Sequence, residues 1–162
     1  MTDSQNVELV RSIYAPEGRG DFSSSADWAH PDIEHVTVEG VDAGSVTGRG
    51  GLVRAVRNWL SDFDDVRVEA EEYRELDGDR VLVLNKFSGR AKRSGLQIDQ
   101  RAAEVFEIHD GRVTKIVQYA NRGGICYSSL SRRLSFSTSV VRLSPRSFAA
   151  APLFPRVRAS ER

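Results

Sequence analysis

An α+β fold, in which a curved antiparallel sheet closes over about three N-terminal helices, is the architecture this sequence predicts, on three observations. Before Phe63, apolar residues recur at helical spacing in well-separated stretches. From Val66 to Asn121 the pattern changes to period two, in the segments VRVEAEEYREL, RVLVLNKFSGR, LQIDQRAAEVFEI and RVTKIVQYAN, punctuated by Asp77-Gly78 and Asp110-Gly111. The helices come first and the sheet follows, which argues for layers segregated by type. A sheet curved over helices encloses a hollow suited to a small molecule.

The elements follow in chain order. Asp3 or Ser4 can cap a first helix whose stripe is Val7, Val10, Ile13 and Tyr14, and Pro16 with Gly18 stops it. A second, weaker helix is expected from Gly20-Asp21 through DFSSSADWAH, anchored by Phe22 and Trp28 and ended by Pro31. Ile33 to Glu39 reads as a first strand, and Gly40 to Gly51 as a glycine-rich loop. The strongest helix comes next, with Leu52, Val56, Trp59, Leu60 and Phe63 on one face and Arg54, Arg57, Asn58 and Asp62 on the other. The expected order is therefore α-α-β-α-β-β-β-β.

Composition bounds the partners. The 162 residues carry no formal net charge, but residues 1 to 122 hold 16 Lys+Arg against 22 Asp+Glu, whereas 123 to 162 hold 7 against 1. An acidic body thus precedes a basic tail rich in Ser and Arg. The body, 1–122, is long enough for one domain, and the tail, 123–162, reads as a disordered or loosely packed appendage. A shifted reading frame would give so abrupt a change. The tail's spacing is irregular and poor in aromatics for stacking, so nucleic acid is not the expected partner. The only cysteine, Cys126, allows no internal disulfide. No apolar run approaches membrane-spanning length and MTDSQNVELVRS is unlike a secretory signal, so no membrane partner and a cytoplasmic location are expected.

Several motifs lead nowhere. HPDIEH, from His30 to His35, has the composition of a metal cluster, but in an extended segment Asp32 and Glu34 point opposite to His35. GSVTGRGG lacks the Lys-Ser/Thr of a phosphate loop, and Ser23 to Ser25 lack a nucleophile-elbow setting. No metal and no cofactor is implied.

YAPEGRGD from Tyr14 to Asp21, the HPDIEH strand entry, the GRGGLVRAVRNWL helix, the HDGRV hairpin and the closing YANR come in an order that resembles the SnoaL-like branch of the nuclear transport factor 2 superfamily, over about the first 122 residues. The resemblance implies a cone-shaped α+β barrel with a pocket between helices and sheet, often in a homodimer. Its relatives include polyketide cyclases, ketosteroid isomerases, limonene epoxide hydrolases and many proteins with no known reaction, so the fold alone does not assign a function.

Strand alternation selects the candidate pocket residues. Ile33, His35 and Thr37 share one face of the first strand; Gln100, Ala102, Glu104, Phe106 and Ile108 share one face of a later one, and both sets are taken as inward. The resemblance implies a three-residue His109-Asp110-Gly111 loop, which would place Ala102 opposite Gln118 and bring Gln118 beside Glu104, whereas a two-residue Asp110-Gly111 turn would put Val117 on that face. Tyr14, Trp28 and Trp59 arrive from the helices. His35 and Glu104 are the candidate catalytic pair, one taking a proton and the other, kept protonated by burial, steadying an enolate oxygen. Tyr14, Trp28, Thr37, Trp59, Phe106 and Gln118 are the candidate ligand contacts.

By the resemblance, Thr37 stands where ketosteroid isomerases carry their base and Glu104 where they carry an oxyanion-stabilising acid. Gln118 stands where cyclases and epoxide hydrolases carry an acid, and Leu82 where the hydrolases carry an aspartate. Two classes follow. One is a module that binds a small, largely apolar molecule in the cone pocket without turnover; the other is a cofactor-independent isomerase, cyclase or hydrolase that moves a proton next to a carbonyl.

Overall fold

The computed structural model describes residues 4–38 and 43–119, so the basic tail lies outside the described residues. Two helices and six strands occur among them, in the order α1 (Gln5–Glu17), β1 (Ala29–Thr37), β2 (Gly44–Thr47), α2 (Arg49–Ser61), β3 (Phe63–Asp77), β4 (Arg80–Ala91), β5 (Gln97–His109) and β6 (Arg112–Tyr119). The strands form one sheet ordered β2-β1-β6-β5-β4-β3. Neighbours are antiparallel except β1 and β6, which run parallel. Among the described residues, no helix is long and apolar enough to cross a membrane.

α1 starts where Ser4 accepts a hydrogen bond on its hydroxyl from the Val7 N–H at 3.3 Å. It ends where the Gly18 N–H reaches the Tyr14 carbonyl at 2.9 Å, just past Pro16. Its buried face is Val7, Val10, Ile13 and Tyr14. The helix expected after Asp21 does not form. Asp21 instead accepts from the Ser23 N–H at 3.0 Å and the Ser23 hydroxyl at 2.6 Å, and Ser25 donates to Asp27. Such local side-chain bonds compete with helical ones in a segment poor in helix formers.

β1 accordingly begins at Ala29, earlier than expected, and passes through Pro31. The β1–β6 register shifts between Ala29 and Glu34, so Pro31 lies in an irregular stretch where its missing N–H removes no regular ladder bond. Part of the expected glycine-rich loop is in fact β2, which pairs with the edge of β1 from Glu34↔Thr47 to Thr37↔Gly44. Phe63, expected to finish a helix, opens β3 instead.

The sheet has two apolar faces. Val81, Val83, Phe106, Ile108, Val113, Ile116 and Ile33 join Val7, Val10, Ile13 and Tyr14 of α1 in the main core. On the other face, Leu82, Leu84, Ala103 and Val105 form a second buried cluster, flanked by Leu76, Val117 and Tyr119. The alternation of β4 and β5 between the two clusters is the period-two pattern seen in the sequence.

The β5–β6 hairpin corrects the expected turn. His109 pairs with Arg112, leaving a two-residue Asp110-Gly111 turn, both residues with positive φ, 51° and 72°. That is the geometry an Asp-Gly pair serves best. A register shift follows between Glu107 and Ile108, so Thr114 is the extra residue, its hydroxyl donating to the Glu107 carbonyl at 3.2 Å. The bulge returns Gln118 to the inner face, directly opposite Glu104 rather than Ala102.

Candidate functional site

Registers across four strand pairs align a row of side chains on the inner face: Tyr73, Val83, Glu104, Gln118 and Thr37. One step along each strand pair runs a second row of Val81, Phe106, Ile116 and His35. α1 lies against this face and sets Tyr14 over it. The Tyr14 hydroxyl donates to Oε2 of Glu104 at 2.5 Å and accepts from Nδ2 of Asn85 at 3.0 Å. Tyr14 also packs edge-on against Tyr73 and Phe106, with ring centroids 6.1 and 6.0 Å away.

Asn85 is the one polar residue among those the described chain buries fully, at 2% exposure. Its place is fixed by alternation: Val81, Val83, Asn85 and Phe87 share a face of β4, and only Asn85 interrupts the apolar series. A buried amide needs partners, and Tyr14 supplies one.

Burial raises the Glu104 carboxyl above its ordinary range, against the opposing pull of hydrogen bonds from Tyr14 and Asn85. Tyr14 is held well above the usual phenol range by its own burial and then by the adjacent Glu104. Glu104 nevertheless keeps some accessible surface, though it lies deep in the protein.

Glu17, which sequence reasoning did not select, belongs to the same region. It is half-buried, lies three residues beyond Tyr14 on the α1 face, and its carboxyl is raised to about 8, first by burial and then by repulsion from Glu104. Tyr73, also not selected, is raised by burial and carries the Arg11 guanidinium over its ring at 4.6 Å. Two of these omissions had a signal. Glu17 continues the spacing Val10, Ile13/Tyr14, and Asn85 breaks an apolar alternation. Tyr73 had none, because a register shift between Ala70 and Glu72 decides which way it faces.

The remaining candidates are scattered. His35 is half-buried on β1, paired with Val46 and Ile116, and burial lowers its imidazole pKa. It shares the inner face with Glu104, but β6 runs between their strands, so the two backbones stand roughly 10 Å apart at ordinary strand spacing. They make no direct pair. Thr37 and Gln118 are half-buried neighbours in Glu104's row, and Phe106, 1% exposed, is core. Trp28 is half-buried against the main core, and its carbonyl accepts from the Val113 N–H at 2.9 Å.

Trp59 goes elsewhere. Its ring contacts are Phe22, Phe63 and Phe87, with centroids 6.5, 5.9 and 4.9 Å away, an aromatic cluster that joins α2 to the start of β3. Beside this cluster is an open groove of about 390 Å³ between Arg19, Phe22, Phe63 and Asp64, which contains none of the expected site residues. Leu82 belongs to the outer cluster, so its side chain is not a pocket position; Val83 and Asn85 hold that part of the inner wall. Among the described residues, no three His, Cys, Asp or Glu side chains are placed to hold a metal ion.

The geometry therefore offers a short hydrogen-bonded chain, Asn85 to Tyr14 to Glu104, in apolar and aromatic walls, with a second carboxyl one helical turn away. Known proteins share the frame around it. A protein of Mycobacterium tuberculosis (strain ATCC 25618 / H37Rv), itself uncharacterized, is 29% identical over 125 residues, covering 74% of this chain and 91% of that one. The structure of TerC co-crystallized with polyporic acid is similar with a TM-score of 0.62 and 24% identity, covering 71% and 90% of the two chains. An NTF2-like protein of unknown function from Burkholderia pseudomallei K96243 aligns with a TM-score of 0.65 and 20% identity over 74% and 92%. The model of the SnoaL-like domain matches residues 6–116, most of the described chain, and the protein belongs to that family.

Proposed function

We propose that the domain binds a small, largely apolar molecule in the hollow between α1 and the inner face of the sheet, holding an oxygen of that molecule at Tyr14 and Glu104. The observation that carries this reading is the 2.5 Å Tyr14–Glu104 bond, braced by Asn85 and enclosed by Ile13, Val83 and Phe106. Buried polar groups need partners, and this set is short of apolar reasons to exist: three polar side chains occupy a core that valines could fill. Burial raises the Glu104 carboxyl and so favours its acid form, which can donate to a carbonyl oxygen. TerC, of similar fold, was crystallized with a small molecule, polyporic acid, which supports a ligand in this frame.

A second reading, a cofactor-independent isomerase, cyclase or hydrolase, is favoured by one observation: acid and base functions coexist on the inner face, with Glu104 raised and His35 lowered by burial. We also read the outer face of the sheet, at the partly buried rim of Leu76, Val117 and Tyr119, as the seat of a homodimer.

Native mass spectrometry of the full chain purified from its own host tests the binding reading. A retained small molecule that is lost in Tyr14→Phe/Glu104→Gln is the expected result. A ligand that survives this double substitution would place binding elsewhere.

A further inference from the structure

The outer face of the sheet holds a burial that no described element explains. Leu82, Leu84, Ala103 and Val105 are 1%, 7%, 0% and 2% exposed. They face away from α1 and α2, whose buried side chains belong to the main core, and the outer cluster takes its members and its flank from β3 to β6 alone. Neighbouring strands shield such a side chain from two sides and leave its end open, which is why a bare face of an antiparallel sheet meets water. Leu76, Val117 and Tyr119, themselves only partly buried, make a rim rather than a roof. A leucine and a valine at 1% and 2% therefore need chain lying over them.

We propose that this outer face is covered by a segment of the chain's own C-terminal tail, 125–136. Three stretches lie outside the described residues: 1–3, 39–42 and 120–162. The first leads into α1, on the inner side. The second is a short link between β1 and β2, at the sheet edge and separated from β5 by β6. The third starts at the cluster itself, because Tyr119 is the register partner of Ala103 and belongs to the rim. Two strand spacings, roughly 10 Å, separate β6 from β4, so about three to four extended residues reach Leu82 and Leu84. Gly123-Gly124 supplies the reversal that such a return needs.

The composition of the segment, ICYSSLSRRLSF, fits the place. Ile125, Tyr127, Leu130, Leu134 and Phe136 offer the apolar surface that the cluster requires above it. Arg132 and Arg133 suit a body in which residues 1 to 122 hold 16 Lys+Arg against 22 Asp+Glu. A second copy of the chain is the rival occupant, and burial decides between the two. A face reserved for a partner stays open in the single chain, whereas these four residues are buried within one. The inference stands apart from the ligand reading, because the hollow lies on the opposite side of the sheet. It gives the basic tail a structural role where composition alone suggests a loose appendage.

Isotope-filtered NOE spectroscopy on the full chain tests it, with equal parts of carbon-13-labelled and unlabelled protein. Methyl groups of Leu82, Leu84 and Val105 should show contacts to protons of 125–136 within the same chain. Contacts that appear only between labelled and unlabelled chains assign the cover to a second copy and overturn the proposal. So does the absence of contacts to any residue after Tyr119. Cys126, the only cysteine, gives a second readout. Its alkylation by iodoacetamide should be at least about tenfold slower in the native chain than in the urea-unfolded one, and unchanged by dilution. Equal native and unfolded rates, or protection lost on dilution, overturn the assignment. Leu130→Glu/Leu134→Glu should raise the native rate by about tenfold or more, because unpaired carboxylates resist burial on this face. A rate left unchanged by that double substitution overturns the choice of segment.

Discussion

At the scale of residues, the hollow is governed by where protons sit. Glu17 has an ordinary value of 4.5 and a folded value of about 8, so between those pH values the unfolded chain has lost a proton that the folded one keeps. Stability from this group is therefore fully present below about pH 4.5 and is lost as pH rises toward 8. Glu17→Gln removes the penalty: urea unfolding should show the variant more stable than wild type at pH 9, on the order of 1–3 kcal/mol, with the difference vanishing near pH 4. Equal stabilities at both pH values would mean that Glu17 is not buried against Glu104. Tyr14→Phe acts in the opposite direction, because it leaves Asn85 and Glu104 buried without their shared hydroxyl. A loss of about 1–3 kcal/mol is expected, and a Glu104 carboxyl that titrates higher still, followed by carbon-13 NMR, since one of the bonds that lowers it is gone. These residues were only half legible in the sequence. Glu104 could be placed on the inner face from alternation, but its bond to a tyrosine 90 positions away depends on how α1 seats on the sheet.

At the scale of elements, turns and bulges decide which side chains enter the hollow. The Asp110-Gly111 turn holds Gly111 at a φ of 72°, a left-handed conformation that disfavours any side chain. Gly111→Ala should lower stability by about 1–2 kcal/mol in equilibrium unfolding, with nothing to clash within 4 Å to add to it. Reading this turn from sequence failed in an instructive way. The family resemblance implies a three-residue loop, which brings Gln118 inward; the protein uses the two-residue turn and recovers the same face through the Thr114 bulge. Face and register were thus set by two irregularities that compensate, and no periodicity reports a single extra residue. The segment after Asp21 failed for another reason: Asp and Ser side chains satisfied the backbone locally before a helix could.

At the scale of the whole molecule, the sheet is apolar on both sides of its centre. The inner face packs on α1 and α2, while the outer cluster of Leu82, Leu84, Ala103 and Val105 has, among the described residues, Leu76, Val117 and Tyr119 as its partly buried apolar flank. The homodimer proposed above would be seated on this side of the sheet, at the partly buried rim of Leu76, Val117 and Tyr119, since the four cluster residues are already buried within one chain. Val117→Lys, at the rim of that cluster, should shift the sedimenting mass of the full chain from two copies to one while leaving its thermal unfolding cooperative. A wild-type protein that sediments as one copy would remove the proposal. The charge contrast between the acidic body and the basic tail was read directly from composition, but its structural meaning lies outside the described residues.

Sequence by itself determined what local chemistry and short periods can encode: the α1 stripe, the α2 amphipathic face, the alternation that sorts β4 and β5 into two faces, and the family to which the order of motifs points. The tertiary structure alone decided which inward groups meet. Tyr14, Asn85 and Glu104 converge because α1 is laid across strands that lie far from it in the chain, whereas His35 and Glu104, matched in face, are kept apart by β6. Alternation fixes a direction within a strand; distance between strands is set by the order in which the sheet assembles, and that order is a property of the whole fold.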